Sequence, residues 1–306
     1  VINNYLSLYS GIEAATVAWR PLGWKPVAFV EIDPFCCALL DYHYPEVENL
    51  GNIEDINGKE IREETDVVIF GSPCQSFSLS GKRLGLDDPR GNLALVALRV
   101  IGAMHCSPKW IVFENVPGLL SSRKGRDFPI LLREMEKLGY MGAWRVLDAQ
   151  YVRVDGFGRA VPQRRRRVFV VGYLGDWRPA AAVLFESQGD SGSNPSNRKT
   201  HATKSEWLHG HRTINVIDAS YGSKWGSNQW YLRSHIVWRE NKPTRLSPLE
   251  VERCFGFEDN YTLIPWRGKP RWDCPNGHRY RVLGNSMAVN VIRWIGRRIE
   301  MYEKAD

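Results

Sequence analysis

Between Tyr5 and Gly175 the chain alternates short runs of β-branched and aromatic residues with amphipathic stretches. YLSLYS is followed by ATVAW, and VAFVEI by FCCALLDYHY. Further strand-like runs begin at Val67 (VVIFGS), Trp110 (WIVFENV) and Arg167 (RVFVVGY), with helix-like NLALVALRVIGAM and FPILLREMEKLGY between them. This rhythm marks βαβ units and predicts an α/β domain whose sheet carries helices on both faces. After Asp176 the texture changes: ESQGDSGSNPSNRKTHATKSEW is polar and rich in Ser, Asn and Gly, which predicts loop. From about Ile214 to Arg239, aromatic pieces such as NQWYLRSHIVW suit short strands. TRLSPLEVERCFGF predicts a helix starting at Ser247, and a final helix is expected near Asn285. The expected organisation is a large domain over residues 1–174, a smaller one over 175–242, and a segment 243–306 returning to the large one.

Composition narrows the class. Hydrophobic residues make up 43% and charged residues 25% of the 306, which excludes a disordered chain. No apolar run approaches the roughly 20 residues a membrane span needs, and VINNYLSLYS lacks the plan of a secretory signal. A cytoplasmic protein with no membrane partner is expected, and a monomer is the default. The six cysteines (Cys36, Cys37, Cys74, Cys106, Cys254, Cys274) follow no disulfide framework, and CPNGH from Cys274 lacks the second pair a zinc site wants, so reduced thiols and no metal are expected. The net charge of +7 suits a polyanionic partner or, equally, a solvated basic surface.

Five stretches carry chemistry. In LSLYSGIEAATVAW, Gly11 stands at a strand–helix turn where backbone N–H groups can face a ligand. The absence of GxGxxG disfavours a pyrophosphate cofactor and a dehydrogenase, but leaves room for a smaller nucleoside. Glu31 closes the next strand, where an acid commonly binds ribose hydroxyls; a solvated strand-end glutamate is the alternative. Cys74, in GSPCQSFSLSGKRLG, follows a strand and a proline at the edge where open α/β sheets place their sites, which suits a nucleophile. Its SGKRLG continuation reads as a basic flap or a passive loop. Glu114 in FENVPG reaches the same edge, as a proton donor or merely a cap. In PQRRRRVFVV the alternation of a strand sends Arg165 and Arg167 to one face and Arg164 and Arg166 to the other.

Taken in order, these segments closely resemble the motifs of the C5-cytosine-specific DNA methyltransferases, particularly phage-type members whose first motif reads SGIEAA. The cysteine loop resembles GSPCQSFS, the Glu-Asn-Val motif Glu114 to Val116, and the Gln-x-Arg-x-Arg motif Gln163, Arg165 and Arg167. The last motif resembles GNSMAVNV from Gly284, and KPTRLSPLEVERCFGF the penultimate one. The resemblance implies the S-adenosylmethionine-dependent methyltransferase fold: Rossmann-like, α/β, with a mixed, mostly parallel sheet and a small target-recognition domain. It implies that Cys74 adds to C6 of a flipped cytosine in double-stranded DNA, activating C5 to take the methyl group, with S-adenosyl-L-homocysteine as product. Glu114 would hold N3 and the exocyclic amine, which asks for a pKa raised by burial. Arg167, with Arg165 behind it, would stabilise the carbonyl oxygen and a phosphate.

For the cofactor the resemblance implies Tyr9 and Ile32 at the adenine faces, Gly11 and Ile12 at the backbone turn, and Glu31 on the ribose. Asn52 and Ile53 would meet the adenine edge, Pro73 and Leu93 the methionine side, and Asn285 with Ser286 its polar end. Gln75, Ser78, Lys82, Arg83, Gln163 and Arg245 become DNA-binding candidates, Arg245 by supporting the recognition domain. Base readout falls to Lys224, Trp225, Asn228, Gln229 and Arg233. The chain departs from the family at Glu13 and Ala14, which replace glycines, and at Asn52, where Asp is usual and Asp55 is the fallback. YVRVDGFGRAVPQ is a longer approach to the arginine strand, either adding DNA contacts or forming a surface insertion. A tRNA-methylating branch and a catalytically silent DNA-binding homologue remain alternatives.

Overall fold

The computed structural model describes residues 1–73, 93–158, 160–185, 214, 217–219, 221, 236–239 and 242–305. Its centre is a six-stranded sheet made of β1 (Asn4–Leu8), β2 (Lys25–Val30), β3 (Val67–Phe70), β4 (Trp110–Asn115), β5 (Tyr140–Asp148) and β6 (Arg166–Leu174). The strands lie in the order β2-β1-β3-β4-β6-β5; the first four are parallel, and β6 runs antiparallel to both its neighbours.

Period-two alternation sorts the strand residues into two cores. Tyr5, Ile69, Val112, Phe169 and Val171 face one side; Leu6, Leu8, Val68, Phe70, Phe113 and Val170 face the other. The first side is covered by α1 (Ala14–Trp19) and α8 (Val289–Ala305), the second by α3 (Leu93–Ala103) and α4 (Asp127–Lys137). Helix α8 buries Ile292, Ile295, Gly296 and Ile299 at i, i+3, i+4 and i+7, an apolar stripe. Gly296 is needed because a Cβ there would lie 2.4 Å from Trp19 Nε1, which donates instead to the Ile292 carbonyl at 2.9 Å. Burying each such isoleucine contributes about 2 kcal/mol.

The remaining helices are α2 (Pro34–His43), α5 (Arg178–Leu184), α6 (Pro248–Phe255) and α7 (Asn276–Asn285). Helix α6 starts where the sequence predicts, with Ser247 and Glu250 forming a capping box and Gly256 closing it at φ +87°. The expectation of a final helix near Asn285 is corrected: Asn285 ends α7, and α8 begins at Val289. The break has a cause, because Arg165 takes the carbonyls of Gly284 and Ser286 that a continuous helix would use internally.

Strand β5, absent from the sequence reading, is the sheet's edge; its exposed Met141 and Trp144 obscure the alternation. Helix α5, just beyond the boundary expected at residue 174, packs on β5, β6 and α8. Of the region expected to recognise the target, β7 (Ile236–Arg239) and β8 (Lys242–Arg245) form an antiparallel pair. Lys224, Trp225, Asn228, Gln229 and Arg233 lie outside the described residues. No helix among the described residues is long and apolar enough to cross a membrane.

Candidate functional site

A cavity of about 360 Å³ opens at the carboxyl ends of β1 to β4, where β6 begins. Ten of the eleven expected cofactor residues line it: Tyr9, Gly11, Glu31, Ile32, Asn52, Ile53, Pro73, Leu93, Asn285 and Ser286. Ile12 is the exception: its side chain is buried in the core, and its carbonyl accepts from the Tyr261 hydroxyl at 2.8 Å. Glu114, Arg165 and Arg167 line the same cavity.

The turn after β1 is strained. Tyr9, Gly11 and Glu13 all adopt positive φ, at 55°, 57° and 60°. Glu13 stands where the family has glycine and keeps the left-handed backbone through its side chain. Fully buried, its carboxyl accepts from the Ser7 hydroxyl at 2.8 Å, the Thr16 amide at 3.0 Å and the Thr16 hydroxyl at 3.2 Å, capping α1. Burial, unrelieved by any cation among these partners, pushes its pKa up to about 7.

At the end of β2, Glu31 accepts three amide hydrogens: Gly11 N at 2.7 Å, Ile32 N at 2.8 Å and Asp33 N at 2.7 Å. The side chain of Asn49 grips the backbone of Glu31 from the other side, accepting from its N–H at 3.0 Å and donating to its carbonyl at 3.2 Å. The Asn52 amide caps the turn after it, accepting from Glu54 N at 3.3 Å and donating to Asp55 at 3.1 Å. Asp55, the fallback candidate, therefore orients Asn52 and is not itself on the wall. Asp33 caps α2 and pairs with Arg281 of α7 at 2.6 Å, closing one rim of the cavity.

The other rim carries the charges. Glu114, near the end of β4, meets Arg167, near the start of β6, at 3.0 Å from Nε to Oε1. Burial raises the Glu114 carboxyl above its usual range, with Arg167 and then Arg165 pulling it back only in part. Next to it Asn115 donates to the Ser72 carbonyl at 3.3 Å and hydroxyl at 3.2 Å, tying this strand tip to the segment that leads through Pro73. Gly71 fits there because a Cβ would crowd Met287 at 2.8 Å and Glu114 at 3.2 Å.

The predicted alternation along the arginine strand holds: Arg165 is buried and Arg167 largely so, whereas Arg164 and Arg166 are exposed. Arg165 is a staple. It donates to the carbonyls of Ile217, Gly284 and Ser286 and lies 4.8 Å over the Phe255 ring, so its expected place behind Arg167 is that of a positioning residue. Gln163 is fully buried, which corrects its assignment as a DNA contact. Arg245 donates to the Tyr221 carbonyl at 3.3 Å, a supporting contact. Cys74, Gln75, Ser78, Lys82 and Arg83 lie outside the described residues.

Parts of the long approach are anchored to α8. Phe157 lies under Arg293 of α8, 5.1 Å from ring to guanidinium, and Arg297 pairs with Asp155 at 3.1 Å. Asn49, Asn115 and Arg281 were not legible as site residues; only Asn115 sat inside a recognised motif, and Asp33 carried a cap signal in EIDPF. No group of three or more potential metal ligands occurs among the described residues.

Comparison with known proteins places the chain in a family. The C-5 cytosine-specific DNA methylase profile matches residues 3–220 and 194–301. The type II methyltransferase M2.BsuMI of Bacillus subtilis (strain 168) is 32% identical over 315 residues, covering 96% of this chain and 74% of that protein. A DNA N-6-adenine-methyltransferase of Escherichia phage P1 is 28% identical over 469 residues; the match covers 96% of this chain but only 61% of that protein. In fold, the Entamoeba histolytica methyltransferase EhMeth superposes with a TM-score of 0.69 at 16% identity, over 100% of this chain and 99% of that one. With the profile spanning nearly the whole length, the chain belongs to the C-5 cytosine-specific DNA methylase family and has its methyltransferase fold.

Proposed function

We propose that the protein methylates C5 of cytosine in double-stranded DNA, with S-adenosyl-L-methionine as donor and Cys74 as covalent nucleophile. The observation that carries this reading is the largely buried Glu114–Arg167 pair, held on adjacent strands of the same cavity that Glu31 enters from β2. Pro73 lies on that wall, and Cys74 is the next residue of the chain.

The residues fit the donor. Glu31 offers a fixed carboxylate to two hydroxyls, Ile32 exposes 66% of its surface to an adenine face, and Asn285 and Ser286 bring polar groups to the opposite end. When bound, S-adenosylmethionine supplies an electrophilic methyl group on a sulfonium sulfur. Cytosine C5 alone is a weak nucleophile. Addition of the Cys74 thiolate to C6 places electron density on C5, and a proton delivered to N3 by Glu114 favours that addition. Arg167 would bear on the carbonyl oxygen as negative charge grows there. After transfer the C5 proton passes to solvent as the C6–S bond breaks and releases the thiolate, and N3 returns its proton to Glu114, leaving S-adenosyl-L-homocysteine as the co-product. The target base has to leave the duplex to reach this site. Sequence readout belongs to the region 175–242, and the protein acts as a monomer in the cytoplasm of a bacterial or phage-infected cell.

The name of the phage P1 relative raises adenine N6 methylation as a second reading. More than a third of that protein lies outside the match, so its adenine activity need not reside in the shared part. An exocyclic amine carries its own lone pair, and that chemistry gives a Pro-Cys loop with a Glu–Arg pair no task. The test is covalent trapping with duplexes containing 5-fluorocytosine, alongside assays of N6-methyladenine and matched RNA. A denaturation-resistant adduct formed by the wild type and lost in Cys74→Ala supports the proposal. Methylated adenine without an adduct, trapping on RNA alone, or no product on any substrate overturns it.

A further inference from the structure

Glu31 is the only acid expected to read the ribose, yet β2 ends at Val30, one residue before it. Beyond that point the ladder has no regular strand partner to fix the Glu31 peptide. The segment 48–50 supplies one by another route. Phe29 N donates to the Glu48 carbonyl and Leu50 N to the Phe29 carbonyl, both at 2.8 Å, so this stretch runs beside the end of β2 as a single parallel bridge. The next rung is made by a side chain. Asn49 Oδ1 accepts from Glu31 N at 3.0 Å, and Nδ2 donates to Glu31 O at 3.2 Å, so the carboxamide satisfies both polar groups of one peptide residue. The same oxygen accepts from Gly51 N at 3.2 Å and the same nitrogen donates to Cys37 Sγ at 3.3 Å. Gly51 turns at φ +78° directly before Asn52 and Ile53 on the cavity wall.

We infer that Asn49 is a positioning residue of the adenosine subsite: its carboxamide stands in for a missing strand rung, fixing Glu31 against the ribose and locking it to the segment that meets the adenine edge. This rests on the donor assigned above. Without Asn49 the Glu31 N–H loses its acceptor at a strand end, and the Glu31 carbonyl is left to the weaker Cys37 thiol donor at 3.3 Å. The carboxylate would then swing with its backbone, even though its bonds to Gly11, Ile32 and Asp33 remain available. Glutamine cannot replace it, since one more methylene carries the amide past both groups.

The test measures binding rather than turnover. Titrate wild type, Asn49→Ala and Asn49→Asp with S-adenosyl-L-homocysteine and with its 2′-deoxyribose analogue by calorimetry, using Glu31→Ala as the reference without a carboxylate. In wild type the ribose compound should bind about tenfold or more tightly than the deoxy compound, as a hydrogen bond to a charged group warrants. In Asn49→Ala that ratio should fall towards the Glu31→Ala value. Asn49→Asp keeps the acceptor for Glu31 N and Gly51 N and should retain part of it. The ratio is read within each protein, so a smaller folded fraction does not change it. An unchanged ratio in Asn49→Ala, with both affinities reduced equally or not at all, overturns the positioning role. Failure of the wild type to bind S-adenosyl-L-homocysteine overturns the donor assignment instead.

Discussion

Glu13→Gln is expected to abolish a pH dependence of stability that the wild type carries. In the fold this carboxyl is held at about 7, against about 4.5 for a free one. At ~1.4 kcal/mol per pH unit this difference amounts to ~3 kcal/mol. Between those two values the folded protein binds the proton and the unfolded chain does not, so stability is complete below about pH 4.5 and is lost as pH rises through 7. Glutamine behaves as a permanently protonated side chain: its oxygen can accept from Thr16 N, and the Ser7 hydroxyl can rotate to accept from its amide. Urea unfolding of both proteins at half-unit steps from pH 5 to pH 8 measures the difference. The variant should gain roughly 3 kcal/mol on the wild type across that range, a few degrees in melting temperature for a chain of this size. A constant difference, or a wild type that gains on the variant as pH rises, refutes the assignment of a proton to Glu13 in the neutral range.

Glu114→Gln should preserve the fold and the cavity while lowering methyl transfer by about 10²–10⁴-fold, the usual worth of a positioned proton donor, as read in a single-turnover assay. Arg165→Ala leaves the carbonyls of Ile217, Gly284 and Ser286 unpaired inside the protein, and should cost about 3 kcal/mol or more in denaturant unfolding. Gly284→Ala would set a Cβ 2.2 Å from the Asp218 backbone; it should displace 217–219 and expose α7 amides to hydrogen exchange, whereas Gly277→Ala, with open space around it, should not.

What the sequence made legible followed from how each feature is encoded. Strands buried on both faces, such as VVIF and WIVF, declare themselves through continuous apolar character, and α6 through its cap residues. The edge strand β5 does not, because an edge exposes Met141 and Trp144 where an interior strand would alternate. Residues placed at strand tips by motif, such as Glu31 and Glu114, came out on the cavity wall. Roles exercised through side-chain bonds to distant backbone did not come out: nothing local marks Asn49 as the partner of Glu31, or Arg165, itself a motif residue, as the brace of residues 284–286. Gln163 shows the opposite failure, since a polar residue in an arginine motif reads as a surface contact until burial is known.

The antiparallel course of β6 also decides where this enzyme tolerates change. Glu114 lies opposite Phe169, and Arg167 opposite Leu147, in an unbroken ladder, so the acid and the guanidinium are brought together by register alone. The length of chain travelled between them is irrelevant to their separation. The connections outside α4 and β5 between Val116 and Arg165 can change length without moving that pair, and the thirteen-residue approach of this chain is one such liberty. A single residue inserted between Arg167 and Phe169 would instead turn the guanidinium to the opposite face of the sheet. The site is thus robust to loop evolution and brittle to a slip of one rung.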